Sequence, residues 1–459
     1  MSLATFTLAP ERFDLILEGG TIAGPQGLAE ADIGVSGGRI AAIGRLGGAA
    51  AAERIGCAGL HILPGVIDSQ VHFREPGAEQ KEDLATGARA AALGGVTAVF
   101  EMPNTKPSTT TLEALDDKVA RATGRMIVDF AFYFGATAEN AALLPEAERA
   151  RGCAGVKLFM GSSTGDLLVE ETEAVRRVLA SGRRRVAVHS EDEARLRARA
   201  GLRRDGDPSS HPEWRDPEAA RLNTERLIGL ARETGRRVHV LHISTAEELP
   251  LLAAHKDLIT AEATPHHLTL DGDEAYARLG TLVQMNPPVR GAAHRDAIFA
   301  ALRSGVIDVL GSDHAPHTRD EKAQNYPASP SGMPGVQTLV PVMLTHVAEG
   351  RLSLERFVKL TAEEPCRIFG IAGKGRIAVG YDADFTVVDL AARREIRNDW
   401  IASRCGWTPY DGVTATGWPT GTIIRGRRVM WEDEIPSDVD AAPPGAPVRF
   451  QEGWVGEGA

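Results

Sequence analysis

From Phe13 onward, short runs of alternating apolar and polar residues, DLILEGGTI, ADIGVSG and RIAAIG, are separated by glycine turns. No helical period appears until after residue 80, so the opening predicts a small all-β unit. The pattern then changes to apolar strands alternating with amphipathic stretches, the arrangement of βαβ units around a parallel sheet. Predicted strands are HILPGVIDSQVHF, GVTAVFEMP, IVDFAFYFG, GVKLFMG, RVAVHSE, RVHVLHIS, a seventh at LITAEATPHHL or TLVQMNPP, and VIDVLGSDH. Helices are predicted over KEDLATGARAAAL, TLEALDDKVARA, EETEAVRRVLAS, PEAARLNTERLIGLARET, AEELPLLAAH and HRDAIFAALRS. Eight strand–helix repeats favour an α/β fold of the closed (β/α)8 type. An open doubly wound sheet is the weaker alternative, since no GxGxxG loop follows the first strand.

After helical stretches at 335–350 and 353–369, β character returns in GRIAVGYDADFTVVDL and TGTIIRGRRVMW. The two chain ends are expected to join in a β-sandwich flanking the barrel. The division is then 1–60 for the first part of the sandwich, 61–370 for the barrel and 371–459 for the rest with its tail. The tail SDVDAAPPGAPVRF reads as an irregular strap, and no internal repeat stands out. Long loops at 191–217 and 317–334 follow the fifth and eighth strands, where barrel enzymes carry lids and substrate contacts.

Of 459 residues, 43% are hydrophobic and 25% charged, which excludes a disordered or collagen-like chain. Lys and Arg number 51 against 62 Asp and Glu, a net charge of −11 that disfavours nucleic acid as a partner. Cys57, Cys153, Cys366 and Cys405 form no CxxC pair and suit a reducing cytoplasm. With no apolar run long enough to span a bilayer and no basic-then-apolar start, neither membrane nor targeting segment is expected.

The candidate chemistry clusters at the carboxyl ends of the predicted barrel strands, where this architecture builds its sites. In the first strand, alternation puts Asp68, Gln70, His72 and Arg74 on one face. In the fourth, Lys157 interrupts the apolar run AGVKLFMG. A buried ammonium there needs an acidic partner, a shifted pKa or a covalent modification such as a carbamate, an anionic ligand able to bridge two cations. His189 and His242 end strands five and six, and imidazole is the commonest zinc ligand. His239 should face away from His242, and the His266–His267 pair is given no ligand role. Asp313, ending strand eight in GSDHAPH, can bind a metal and carry a proton from water to a leaving group. Each residue alone has a bland reading as core filler or cap; jointly they predict a metal centre at the barrel mouth.

VHFREPG at 71–77, MPNTKP at 102–107 and GSDHAPHTRDEK at 311–322 resemble the dihydroorotases of the single-chain bacterial type, within the amidohydrolase superfamily. Hydantoinases and allantoinases, the nearest alternative, usually lack the arginine of HFREPG. The resemblance implies metal-dependent, reversible opening of a cyclic amide in pyrimidine biosynthesis, with dihydroorotate and N-carbamoyl-aspartate as the two ends. It implies two zinc ions held by His72, Lys157 as a carbamate, His189, His242 and Asp313, with Asp313 as the proton carrier. It places Arg74, Asn104 and His317 on the substrate carboxylate, and Asn286 and the Gly332 backbone on the ring. Relatives carry His-x-His where this chain has Gln70-Val71-His72, which makes Gln70 a doubtful ligand, an amide oxygen being weaker than imidazole. The element GSSTG at 161–165 accompanies this glutamine in some relatives. Expected partners are a small-molecule substrate and a second copy of the chain. A catalytically silent subunit beside aspartate transcarbamoylase is a further alternative.

Overall fold

A computed structural model of the chain describes residues 11–24, 27–161 and 167–451, so Ser162 to Gly165 of GSSTG lie outside the described residues. The first strands are β1 Phe13–Gly24, β2 Gly27–Ser36, β3 Arg39–Gly44, β4 Ala51–Gly56 and β5 His61–Pro64. Eight more follow: β6 Val66–Val71, β7 Val96–Glu101, β8 Asp129–Gly135, β9 Cys153–Phe159, β10 Val186–His189, β11 Val238–Val240, β12 Ile259–Ala263 and β13 Val309–Leu310. The last are β14 Phe385–Glu395, β15 Thr414–Ile424 and β16 Arg427–Trp431.

Strands β6 to β13 pair in sequence order, every pair parallel. The ring closes at its mouth, where Val71 bridges His314 and the His72 N–H donates to the His314 carbonyl at 2.7 Å. This is the (β/α)8 barrel, and helices such as Leu112–Ala122 and Pro217–Thr234 fall where the apolar period put them. Pro217–Thr234 shows why: Asp216 caps its first turn, Pro217 presets the first helical φ, and Gly235 ends it at φ 68°. Of the two seventh-strand readings, ITAEA forms β12, whereas Gly280–Val283 is a 3-10 turn.

The predicted first strand, HILPGVIDSQVHF, is two strands. β5 pairs antiparallel with β14, Ile62 opposite Val387, and only β6 enters the barrel. Gly65 makes the hand-over, because a Cβ there would stand 2.4 Å from Thr97 Oγ1. Strands from both chain ends thus share one hydrogen-bonded sheet, β16-β15-β14-β5-β1-β2-β3, with β4 beside β1. Leu15, Ile33, Val35, Ile62, Phe385 and Ile423 bury a common core between its arms, separate from that of the barrel.

Inside the barrel, Ile67, Phe100, Tyr133, Leu241 and Phe369 fill the floor. The tail straps the amino-terminal end of the strands: Phe130 N donates to Ala446 O at 3.1 Å and Val448 N to Phe130 O at 2.8 Å. Asp129, at the start of β8, is paired with Lys374 (2.7 Å) and Arg425 (2.6 Å). With one end strapped, the opposite mouth is where side chains from many strands meet. Among the described residues no helix is long and apolar enough to cross a membrane.

Candidate metal and substrate site

β6 shifts register against β7 between Asp68 and Val71 and stops there, so strict alternation does not run through to Arg74. The polar row still converges on the turn after β13, by hydrogen bonds. Asp68 Oδ1 accepts the Ser312 N–H at 2.9 Å and pins that turn to β6. Gln70 Nε2 donates to Asp313 Oδ1 at 2.9 Å, and His72 Nε2 lies 3.2 Å from the same oxygen. His72 Nδ1 stands 2.7 Å from Asn104 Oδ1, an atom that can only accept, so the imidazole proton sits on Nδ1. Burial pushes the His72 pKa down, keeping the ring neutral, and its Nε2 lone pair then faces a carboxylate. Two electron-pair donors directed at each other are a fit for a cation.

Burial alone would raise the Asp313 carboxyl, but the groups that face it, His72, His242 and Lys157, together hold it at about 2. Lys157 is 1% exposed, between Val156 and Leu158, which join the outer core. Among the described residues it has no ion pair; its Nζ lies 4.3 Å from the centre of the Phe159 ring. Desolvation pulls its pKa to about 7 against the pull of Asp313 and Glu262. Its charge bears on His189, His242 and Asp313.

The His189 and His242 rings meet edge to face with centroids 4.6 Å apart. His189 Nε2 lies 2.7 Å from Glu191 Oε2, which also accepts from Arg215. A carboxylate on one imidazole nitrogen fixes the tautomer and frees Nδ1 as the ligand atom. Glu191 and Arg215 escaped the sequence reading because a loop acid two residues past a strand looks like solvated surface. Burial would raise the Glu191 carboxyl, yet the Arg215 charge and His189 hold it far below the usual carboxylate range. His242 Nδ1 and Gln70 Oε1 are buried without hydrogen-bond partners, a further fit for a missing electrophile. Among the described residues no three His, Cys, Asp or Glu side chains already form a metal-holding group. The donors stand as two pairs, His72 with Asp313 and His189 with His242.

Arg74, His242 and Asp313 have φ of 65°, 38° and 49°, three of the six non-glycine residues at positive φ among the described residues. Backbone strain of this kind costs about 1–3 kcal/mol per residue and collects where a side chain must be aimed. Arg74 Nε donates to Pro316 O at 3.2 Å and its Nη2 lies 3.4 Å from His317 Nε2. Among the described residues Arg74 has no carboxylate partner within 4.0 Å, so its charge is open to an anion. His317 Nε2 donates to Ser331 O at 3.1 Å, and its Nδ1 accepts from Lys81 at 3.2 Å. Burial, then Arg74, Lys81 and Lys322, push the His317 pKa well down, so it is a neutral donor.

Gly332, at φ 145°, donates to Gln284 O at 2.8 Å, and its carbonyl accepts from Lys322 Nζ at 3.1 Å. Both backbone groups expected to meet a ring are therefore engaged within the protein. A Cβ at Gly332 would stand 2.4 Å from Ala315 O, so close approach demands glycine. Asn286 Oδ1 accepts from His211 Nε2 at 2.9 Å. His239 lies on the barrel floor, 2.8 Å from Thr260 Oγ1, away from His242.

A model of the amidohydrolase family matches residues 61–429. The chain is 42% identical over 384 residues to the dihydroorotase of Halobacterium salinarum, covering 83% of this chain and 88% of that one. It is 38% identical over 410 residues to the dihydroorotase of Methanothermobacter thermautotrophicus, covering 88% and 92%. Among solved structures, L-hydantoinase (dihydropyrimidinase) from Arthrobacter aurescens superposes with a TM-score of 0.89 at 30% identity, covering 95% of this chain and 99% of that one. One architecture thus carries both of these named activities, so the fold alone does not choose between them. The matched span takes in the barrel with every predicted ligand, and the chain belongs to the amidohydrolase family of hydrolases.

Proposed function

We propose that the chain is a metal-dependent dihydroorotase, opening the ring amide of dihydroorotate to N-carbamoyl-aspartate and closing it in reverse. The observation that carries this reading is Arg74: a guanidinium without a carboxylate partner, beside neutral His317 and near the His72–Asn104 pair. A ring bearing a side carboxylate fits that opening, and a plain hydantoin leaves it unpaired. The relatives named dihydroorotase support it.

His72, Lys157, His189, His242 and Asp313 would hold the metal, read as two zinc ions with Lys157 carried as a carbamate, and Gln70 Oε1 would be a further donor for it. The bound metal supplies Lewis acidity, which activates water and polarises an amide carbonyl at neutral pH. Asp313 takes the proton of the attacking water and delivers it to the departing ring nitrogen. Arg74 pairs with the substrate carboxylate, joined by Asn104 Nδ2 and His317, and so decides which amide meets the nucleophile. Glu191, clamped by Arg215, keeps the His189 ring in register with His242. The four free cysteines suit action in a reducing cytoplasm.

The test is loss of dihydroorotate absorbance with zinc-loaded and chelator-treated protein side by side, and hydantoin as the competing substrate. Zinc-dependent loss supports the reading; hydantoin turnover alone replaces it with the second reading, the activity named for the L-hydantoinase whose structure this chain resembles. Arg74→Lys should raise KM about tenfold or more while kcat changes little, since lysine loses the bidentate fork. An unchanged KM removes Arg74 from the carboxylate. Gln70→His should slow metal loss to a chelator, imidazole being the stronger zinc donor; equal rates of loss would place residue 70 outside the metal's reach.

A further inference from the structure

His211 lies in the long loop after β10, is 2% exposed, and joins three segments of the barrel mouth. Its Nε2 is 3.2 Å from the Met285 carbonyl and 2.9 Å from Asn286 Oδ1. A backbone carbonyl has no proton to give, so Nε2 carries it and donates to both oxygens. Nδ1 is then an acceptor, and it lies 3.3 Å from Tyr326 Oη, which in turn takes the Trp214 indole N–H at 2.9 Å. The imidazole is edge-on to both aromatic rings, with centroids 5.6 Å from Trp214 and 5.8 Å from Tyr326. The Met285 carbonyl thus sets the tautomer, while Tyr326 and Trp214 hold the ring from the side away from Asn286.

The consequence falls on Asn286, whose amide could otherwise turn either way. A flipped amide would put its NH2 against the His211 N–H, donor to donor. With Oδ1 occupied, the half-buried Asn286 keeps only its Nδ2 hydrogens, which no described residue accepts. We propose that His211 is a positioning and specificity residue that holds Asn286 as a pure donor. The site then takes cyclic amides that turn a carbonyl oxygen toward residue 286 and rejects those that turn an N–H or amino group there. The same loop carries Arg215, which clamps Glu191 and so His189, and whose carbonyl accepts from Arg290 at 2.8 Å. One loop thus sets both the substrate-facing amide and a metal-facing imidazole.

This inference rests on the reading of Asn286 as a ring contact in the proposed function. The experiment is a double-mutant cycle with His211→Phe and Asn286→Ala on the zinc-loaded full chain, and His211→Gln as a fold-preserving donor variant. His211→Phe is expected to raise KM for dihydroorotate about tenfold, the effect of one lost hydrogen bond, with kcat changed less. It should cut by a similar factor the preference for dihydroorotate over its 2-thio analogue, whose sulfur accepts weakly, and His211→Gln should recover part of both. On the Asn286→Ala background, His211→Phe should add nothing. Additive losses, or a preference for the oxo substrate untouched in both His211 variants, would overturn the role while leaving dihydroorotase activity standing. If the wild type fails on dihydroorotate but opens hydantoin, the functional reading falls, and the same cycle on hydantoin and its thio analogue decides His211.

Discussion

Asp313→Asn is expected to lower kcat by about a thousandfold or more, the upper part of the range for a positioned proton carrier. Asparagine keeps the shape and an oxygen for the Gln70 Nε2 hydrogen bond, so the turn after β13 and its Ser312 tie to Asp68 should persist. What it loses is basicity. In the protein the carboxyl is held at about 2, so it is ionised throughout the working pH range, a state asparagine cannot take. Thermal unfolding should stay within a few degrees of wild type, and elemental analysis should find metal still bound, since His72, His189, His242 and Lys157 remain. Retention of more than a few per cent of activity in a metal-replete sample would take the proton-carrying role away from Asp313.

Lys157→Ala should be as severe for a different reason: the proposed site loses a ligand whose charge bears on His189, His242 and Asp313, and metal content and turnover should fall together by about a hundredfold. Short carboxylic acids such as acetate should restore part of both, because on the proposed reading the group removed is a carboxylate carried on an amine. Restoration by neutral amides of the same size would sink the carbamate. A stability signature accompanies this. In the metal-free fold, burial depresses the Lys157 pKa from 10.5 to about 7. Below about pH 7 the amine is protonated in both folded and unfolded chains, and the burial penalty is carried in full. Between about pH 7 and pH 10 only the unfolded chain keeps the proton, so stability rises with pH across that window, by several kcal/mol at most. Urea midpoints of chelated, carbon-dioxide-free wild type at pH 7 and pH 9.5 should therefore differ more than those of Lys157→Ala. Parallel pH profiles would mean the amine is not buried as a cation.

The periodic parts of the chain were legible because one rule decides them. PEAARLNTERLIGLARET carries its own start, stop and apolar stripe, and the helix runs over those residues. HILPGVIDSQVHF was misread as one strand because Gly65 acts through a contact with Thr97, a neighbour more than thirty residues away that no local pattern records. Lys157 was visible as a charge in an apolar run, and the same signal stands at Glu262 in ITAEA. That carboxyl is fully buried, raised to about 8 chiefly by burial, and accepts from Ser69 on the barrel floor. Glu191, Arg215 and His211 were illegible because loop residues have no period; their partners across the barrel mouth are what distinguish them from surface charge. The convergence of Gln70 and His72 on Asp313 was anticipated, but through strand alternation, whereas a register shift and positive-φ turns produce it.

The barrel's closure at Val71 and His314 has a consequence for biogenesis. Gln70 and Asp313, which share a hydrogen bond across that seam, are separated by 243 positions in the chain. At a synthesis rate of about 5–20 residues per second, roughly 10–50 s pass between their emergence from the ribosome. Through that interval His72 and Lys157 exist without their last partner, and a nascent chain offers a cation only scattered, competing donors. On the proposed metal-dependent reading, capture of the ion is an event of the finished, closed ring. Protein made under metal starvation should fold first and charge later, taking its ion from the cell's exchangeable pool rather than during translation.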